Sequence, residues 1–441
     1  MKFIACGDML FSSRNLAQRL DARLVKLLKS ADVVFANAEF CTPERTTAPA
    51  IGRGFITSVR PETLKEFTDL NIKMVNFAHN HTGDFGVQGV VDTLQAAEKY
   101  GIEALGIGYS LDDARRAHFA DGKDARIGIV AAGATRSEVF AASNPGNGVA
   151  ARPGSSPLRW KRAYVLPEKE FNELKAIDEM LGTALSRRTG EAVETYTPQA
   201  GDRFKFGSLY EGNLQIEKGG RAYVRTEADA EDEAALLVRI ADAAKRSDFT
   251  LCTLHTHEGV NENWYAVEPP EFIESFAHKA IDAGASAFVG HGAHFMRGVE
   301  IYKDRPIFYN LGSLIMEFEP GESIICPEMF AAYGYDVNTM PSTLHGNRAK
   351  DKDGNFIGFA SERRFSENAL VVFDVREGGS FSFDIIPLDL DMRRDNPLKR
   401  GLPVVAGKKI AREIAEQLTL VSKKYGTQFV YDPITQKIKM K

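Results

Sequence analysis

Apolar and polar positions follow two alternating rhythms along the chain. Five short runs in the first third, FIAC (3–6), VVFAN (33–37), KMVNF (73–77), EALGI (103–107) and RIGIVAA (126–132), are apolar at nearly every position. That is the pattern of strands covered on both faces. Between them, apolar residues recur every three or four positions, which predicts helices over 16–31, 60–70 and 87–101. The last ends at Gly101, a residue suited to the left-handed turn that closes a helix. The rhythm returns with strands at 248–254, 287–291 and 306–312 around a helix over 269–285. Such alternation predicts an α/β layered sheet.

Residues 137–226 break the pattern, being rich in turn formers (SNPGNGVAARPGSSP) and in charge. They read as an insertion covering one face of the sheet, with 145–160 as a flap at the mouth of a pocket, since insertions on such folds often build lids. A second irregular stretch covers 319–366; two strands (369–375 and 380–390) and a helix over 406–424 follow.

Composition narrows the classes. A net charge of −5 over 441 residues gives no nucleic-acid surface. No apolar run reaches the ~18 residues a spanning helix needs, and the opening MKFIACGDML turns polar too early for a signal peptide. Four scattered cysteines, Cys6, Cys41, Cys252 and Cys326, fit a reducing, cytoplasmic setting.

The chemistry gathers at strand ends. Six of the nine histidines fall in three pairs, His79 and His81, His255 and His257, His291 and His294, each at the C-terminal end of a predicted strand. Asp8 follows FIACG and Glu39 follows VVFANA in the same way. Loops converge at the carboxyl ends of strands in open α/β sheets, so these residues are placed to share one pocket. Imidazole with carboxylate suits Zn, Mn, Fe or Ni, whereas an all-oxygen set favours Mg or Ca. His118, His278 and His345 read as ordinary residues. Asp84 either fixes the turn before Gly86 or accepts a hydrogen bond from His81.

The segments GDMLF, NAE, NHTGDFGVQGVVDTL, GIEALGIGYSLDDA, HTHEG and GHGAHFMRGVEIYKDRPIFYNLGS occur in that order. In them the chain resembles, over roughly 2–135 and 235–315, the poly-γ-glutamate capsule-synthesis (CapA-like) family, a branch of the calcineurin-like metallophosphoesterases. The resemblance implies an α/β fold of four-layer αββα sandwich type, metallophosphoesterase-like, with a metal centre at the strand ends. The sandwich domain would span 1–320, carrying the 137–226 insertion, and a C-terminal β/α extension, 321–441, would complete it. The resemblance also implies Asp8 and Glu39 as carboxylate ligands, Asn80 on metal or substrate oxygen, and His81 as proton donor. His255, with His257 and Glu258 beside it, and then His291 and His294 would complete the set. Three positions depart from the wider pattern: Leu10 stands where DxH has histidine, His-Gly-Ala-His replaces HxH, and Ser313 stands where many relatives have asparagine.

One or two divalent ions, Zn, Mn or Fe before Ca or Mg, would then support hydrolysis of a phosphoester or of a glutamyl-type amide. His81, His257, Glu258 and Asp84 are the candidates for proton transfer, and Arg14, Arg53, Arg60 and Arg297 flank the motifs as cations for an acidic small molecule or polymer. Two other readings stay open: an epimerase using a histidine, Glu258 or Glu300 as base, and a non-catalytic protein of capsule-polymer assembly.

Overall fold

Two β-sheets pack face to face at the centre of the computed structural model, which describes all residues except 53–54, 195–198, 200, 208–212, 318 and 320–321. The first sheet has ten strands among the described residues. Lys2–Leu10 lies at its middle, beside Val33–Ala38, Met74–Asn76 and Glu103–Leu105 on one side and Glu367–Val375 and Phe381–Asp389 on the other. The second has six, with Arg126–Gly133, Phe249–His255, Ala287–His291 and Arg305–Phe308 all parallel. Between the sheets, Phe3, Phe35 and Phe373 meet Ile127, Phe249 and Phe308 in one buried core. Truncating such an aromatic to alanine costs about 3–5 kcal/mol. The outer face of the first sheet is covered by helices through Leu24, Leu28 and Val90, and that of the second through Leu236, Ile240 and Phe276. Helix, sheet, sheet, helix: these are the four layers the sequence resemblance implies.

The predicted elements hold in outline. The helix expected over 87–101 is Gly86–Lys99, and Gly101 takes φ 69° just beyond it. The helix expected over 16–31 is broken: Leu16–Arg19 forms one turn, and Ala22–Lys29 starts afresh where the Asp21 carboxylate accepts from the Arg23 N–H at 2.7 Å. The C-terminal extension contributes to the first sheet directly, with Glu367–Val375 antiparallel to Lys2–Ala5.

The inserted region has more order than its composition suggests. Arg203–Phe206, Leu214–Lys218, Trp160–Leu166 and Tyr223–Ala228 make a four-stranded sheet, backed by helices Glu168–Met180 and Thr183–Glu194 over a small core of Phe171, Phe204 and Ile216. Within the stretch 145–160 expected as a flap, residues 154–158 bond to the body. Ser156 N donates to Gly106 O at 2.7 Å, Leu158 N to Gly133 O at 2.8 Å, and Gly154–Ser155 pairs with Ile107–Gly108. The stretch 319–366 also carries two short helices, Pro327–Ala332 and Pro341–Ala349. No helix among the described residues is long and apolar enough to cross a membrane.

Candidate metal centre

A β-bulge aims the first ligand candidate. Along Lys2–Leu10, Ala5 faces Phe35 but Asp8 faces Asn37, so three steps on one strand match two on the other. The extra residue at Cys6–Gly7 turns the strand locally. Gly7 allows it, because a Cβ there would sit 2.0 Å from the Gly312 carbonyl oxygen, to which Asp8 N donates at 3.0 Å. The fully buried Asp8 carboxylate accepts from Asn37 Nδ2 at 2.8 Å and from Gly292 N at 3.0 Å.

The neighbouring strand ends bring in the rest. His255 lies directly opposite His291 in the parallel register of the second sheet. His255 Nε2 is 2.8 Å from Asn80 Oδ1, and Nδ1 is 3.1 Å from Asn37 Nδ2. His257 Nε2 is 3.2 Å from both Glu39 Oε1 and Asn80 Oδ1, its ring stacked on Trp264 at 4.8 Å between centroids. His294 bridges the two carboxylates: Nδ1 is 3.3 Å from Asp8 Oδ2 and Nε2 3.6 Å from Glu39 Oε2. It does so from φ 63°, a left-handed conformation that costs a non-glycine residue on the order of 1 kcal/mol and gathers at functional sites. This is how the His-Gly-Ala-His spacing works in space: the left-handed turn sets the His294 ring beside Asp8, while Leu10 lines the cavity.

The cluster fits a cation. Donor atoms of Asp8, Glu39 and His255 lie within 4.8 Å of one another, as do those of Glu39, His257 and His294, and Glu39 belongs to both groups. Two bonds of about 2.1 Å to one ion span at most about 4.2 Å, so small side-chain shifts close either set. Several buried polar atoms here have no hydrogen-bond partner: Glu39 Oε2, both ring nitrogens of His291, and His79 Nε2. Buried orphans of this kind call for an explanation. Electrostatics agree. Burial, aided by Asp8 and Asp84, pushes Glu39 up to about 8, against the pull of His294 and His81. Burial drives His257 down to about 3 and His291 to about 4, and takes His255 well below its ordinary value. Neutral imidazoles are what a metal binds. Against the effect of burial, Glu39 and Asp8 hold His294 above its ordinary value, and it would give up its proton to an ion; a cation would also restore the Glu39 carboxylate.

Around this centre the expected residues divide. His81 Nδ1 is 2.6 Å from Asp84 Oδ2, which also accepts from Thr57 N at 2.8 Å. Asp84 has no exposed surface, so it orients His81 and does not itself face the cavity of about 270 Å³ that His81, Glu39, Asn80, His257 and His294 line. Glu258 turns away: its carboxylate accepts from Thr135 and Thr256 hydroxyls at 2.7 and 2.5 Å, and it borders a separate cavity. Glu300, a base in the epimerase reading, is held by His278 at 3.0 Å and by the Tyr309 hydroxyl at 2.7 Å.

Arg297 does not serve an anionic substrate. Its guanidinium is fully buried and donates to the carbonyls of His257, Glu258, Trp264 and Ala266, tying down the 257–266 loop. Arg14 pairs at the surface with Glu322 at 3.1 Å, away from the lining residues, and Arg53 lies outside the described residues. Among the described residues, the arginines that line the cavity are Arg136 and Arg348, from loop and helix segments that carry no periodic signal. Asn37 was also not anticipated. Its position two before Glu39, at the end of the strand Val33–Ala38, is the signal that points to it.

Residues 2–317 match the family described as bacterial capsule synthesis protein PGA_cap. The chain belongs to this family. It is 28% identical to the uncharacterized protein y4sH of Sinorhizobium fredii, with 97% of this chain and 91% of that one aligned. It is 21% identical to the PGA biosynthesis protein CapA of Bacillus subtilis, over 92% of this chain and 73% of that one. Among solved structures it is similar to a phosphatase of Mycoplasma pneumoniae, at 11% identity and a TM-score of 0.36, covering 90% of this chain and 97% of that one. In this PGA_cap chain, then, the family's region spans every strand end that carries a ligand candidate.

Proposed function

We propose that this PGA_cap protein is a metal-dependent hydrolase of an acidic substrate, either a phosphoester or a γ-glutamyl-type amide. The observation that carries the reading is the pair of donor groups sharing Glu39, with unpartnered buried atoms beside them. One or two divalent ions held by Asp8, Glu39, Asn80, His255, His257, His291 and His294 would polarise a carbonyl or phosphoryl oxygen and bring a water's pKa toward about 7. The imidazole donors favour Zn, Mn or Fe over Ca or Mg.

The chain's own groups supply the rest. Asp84 accepts from His81 Nδ1, which leaves Nε2, 3.3 Å from Thr57 Oγ1, as the face that meets a leaving group and delivers its proton. Trp264 and the Arg297-anchored loop hold the His257 ring in place. Arg136 and Arg348 on the cavity wall are the cations for a phosphate or carboxylate. With all four cysteines free and buried, we place the protein in the cytoplasm.

A non-catalytic part in capsule-polymer synthesis, as the CapA relative's name suggests, is the second reading. The test is turnover of p-nitrophenyl phosphate, bis-p-nitrophenyl phosphate and γ-glutamyl-p-nitroanilide by Mn- or Zn-loaded protein. We expect turnover of at least one, lost in Glu39→Gln. Metal-loaded protein inert toward all of these and toward γ-glutamyl peptides would favour the assembly role.

A further inference from the structure

A second cavity, of about 250 Å³, adjoins the metal-site cavity, and Tyr265, Arg348 and Phe359 line both. Its walls are mostly apolar: Met316, Ala349, Phe359, Ala360, Phe365 and Met392. The two carboxylates on its lining are ion-paired, and His345 and Arg348 complete its polar part. Glu319 is ion-paired with Arg400, and Glu362 pairs with Arg364 at 2.8 Å. The cavity is therefore a largely apolar cup whose carboxylates are paired, with Arg348 at its edge, opening beside a centre built from histidines and carboxylates. At the divide, Arg348 lies 4.9 Å over the Phe55 ring.

We propose that this cup is a specificity subsite. It takes an apolar, preferably aromatic, substituent of the substrate while Arg348 meets the anionic group next to it and the metal centre meets the scissile bond. The proposal rests on the metal-centre reading above and sharpens it. Among the described residues the cup offers no cation beyond Arg348 and the Glu319-paired Arg400, so it does not suit the several side-chain carboxylates of a polyglutamate, because burying a charge without a partner is costly. It does suit a ring: an apolar cavity of about 150 Å³ already holds benzene. The substrate class assigned is thus a small anion carrying an aryl or branched alkyl group, in which the anion is a phosphoryl group or a carboxylate.

Isothermal titration of metal-loaded protein tests this with two matched pairs, phenylphosphonate against methylphosphonate and phenylacetate against acetate. In at least one pair the phenyl member should bind roughly tenfold tighter or more, the gain expected for burying a ring. The pair that shows the preference names the anion. Ala349→Phe, which fills the cup from the helix Pro341–Ala349, should erase the preference at native metal content. The preference in the native chain is read without any variant, so a misfolded variant leaves the test standing. With metal bound, no phenyl preference in either pair, or a preference that survives in folded Ala349→Phe, overturns the subsite alone. No metal uptake overturns the metal centre, and the subsite with it.

Discussion

Asp232 and Glu39 are both buried carboxylates, and the fold treats them in opposite ways. Asp232, in the first turn of the helix Ala230–Arg246, is answered on both oxygens. Arg159 donates to Oδ2 from Nε at 2.6 Å and to Oδ1 from its NH2 group at 2.7 Å, its backbone N–H adds a bond at 3.0 Å, and Arg115 closes on Oδ1. Burial alone would raise its pKa, but the Arg159 bonds and the two guanidinium charges outweigh it and hold the carboxyl below its ordinary value. Glu39 has no such partner; one oxygen has no hydrogen bond, and its pKa rises to about 8. The difference separates a structural ion pair, which satisfies itself, from a functional cluster, which needs something added to it.

The comparison breaks first at Asp232. Asp232→Ala leaves two guanidinium groups without their counter-ion and should destabilise the chain by about 3 kcal/mol or more in urea unfolding, with metal content unchanged. Its contribution is present above the unfolded carboxylate range, near pH 4, and is lost as pH falls through the lower folded value. The gap between native and variant should therefore close in acid.

Next in size is metal loading. Mn or Zn at 100 times its Kd should raise stability by about 2.7 kcal/mol, and a chelator should reverse the shift. Asp84→Asn comes third: it should lower turnover by about tenfold to a hundredfold through a misoriented His81 while leaving metal content intact, as the loss of a supporting partner usually does. A fall in metal content with unchanged turnover per bound metal would contradict that role.

Smallest, and opposite in sign to Asp232, is Glu39→Gln. In metal-free protein it should be neutral or stabilising within about 1 kcal/mol, because it removes a desolvated carboxyl that little supports. Destabilisation comparable to Asp232→Ala would erase the distinction between the two sites.

Much of this was legible along the chain. Near-continuous apolar strands, and polar residues gathered where those strands end, already placed Asp8, Glu39, Asn80 and the histidine pairs together. What escaped were directions. Arg297 stands three positions after His294, but its guanidinium is claimed by four loop carbonyls that proximity in sequence does not reveal. Arg136 and Arg348 were missed because no periodicity marks 133–140 or 341–349. The small sheet of the insertion was missed because RFKF, LQIEK and YVRTEA are half polar and lie among turn formers. Glu258, adjacent to His257, faces a different cavity, as neighbours on an extended backbone do.

The most direct test of the central claim is equilibrium titration of Mn2+ and Zn2+ into chelator-treated native protein and Glu39→Gln, with folding checked by circular dichroism. The account predicts saturable uptake of one or two equivalents by the native chain, and loss of that uptake in the folded variant, since both donor groups contain Glu39. A folded native chain that takes up neither ion, or a Glu39→Gln variant that binds them as tightly, would contradict it.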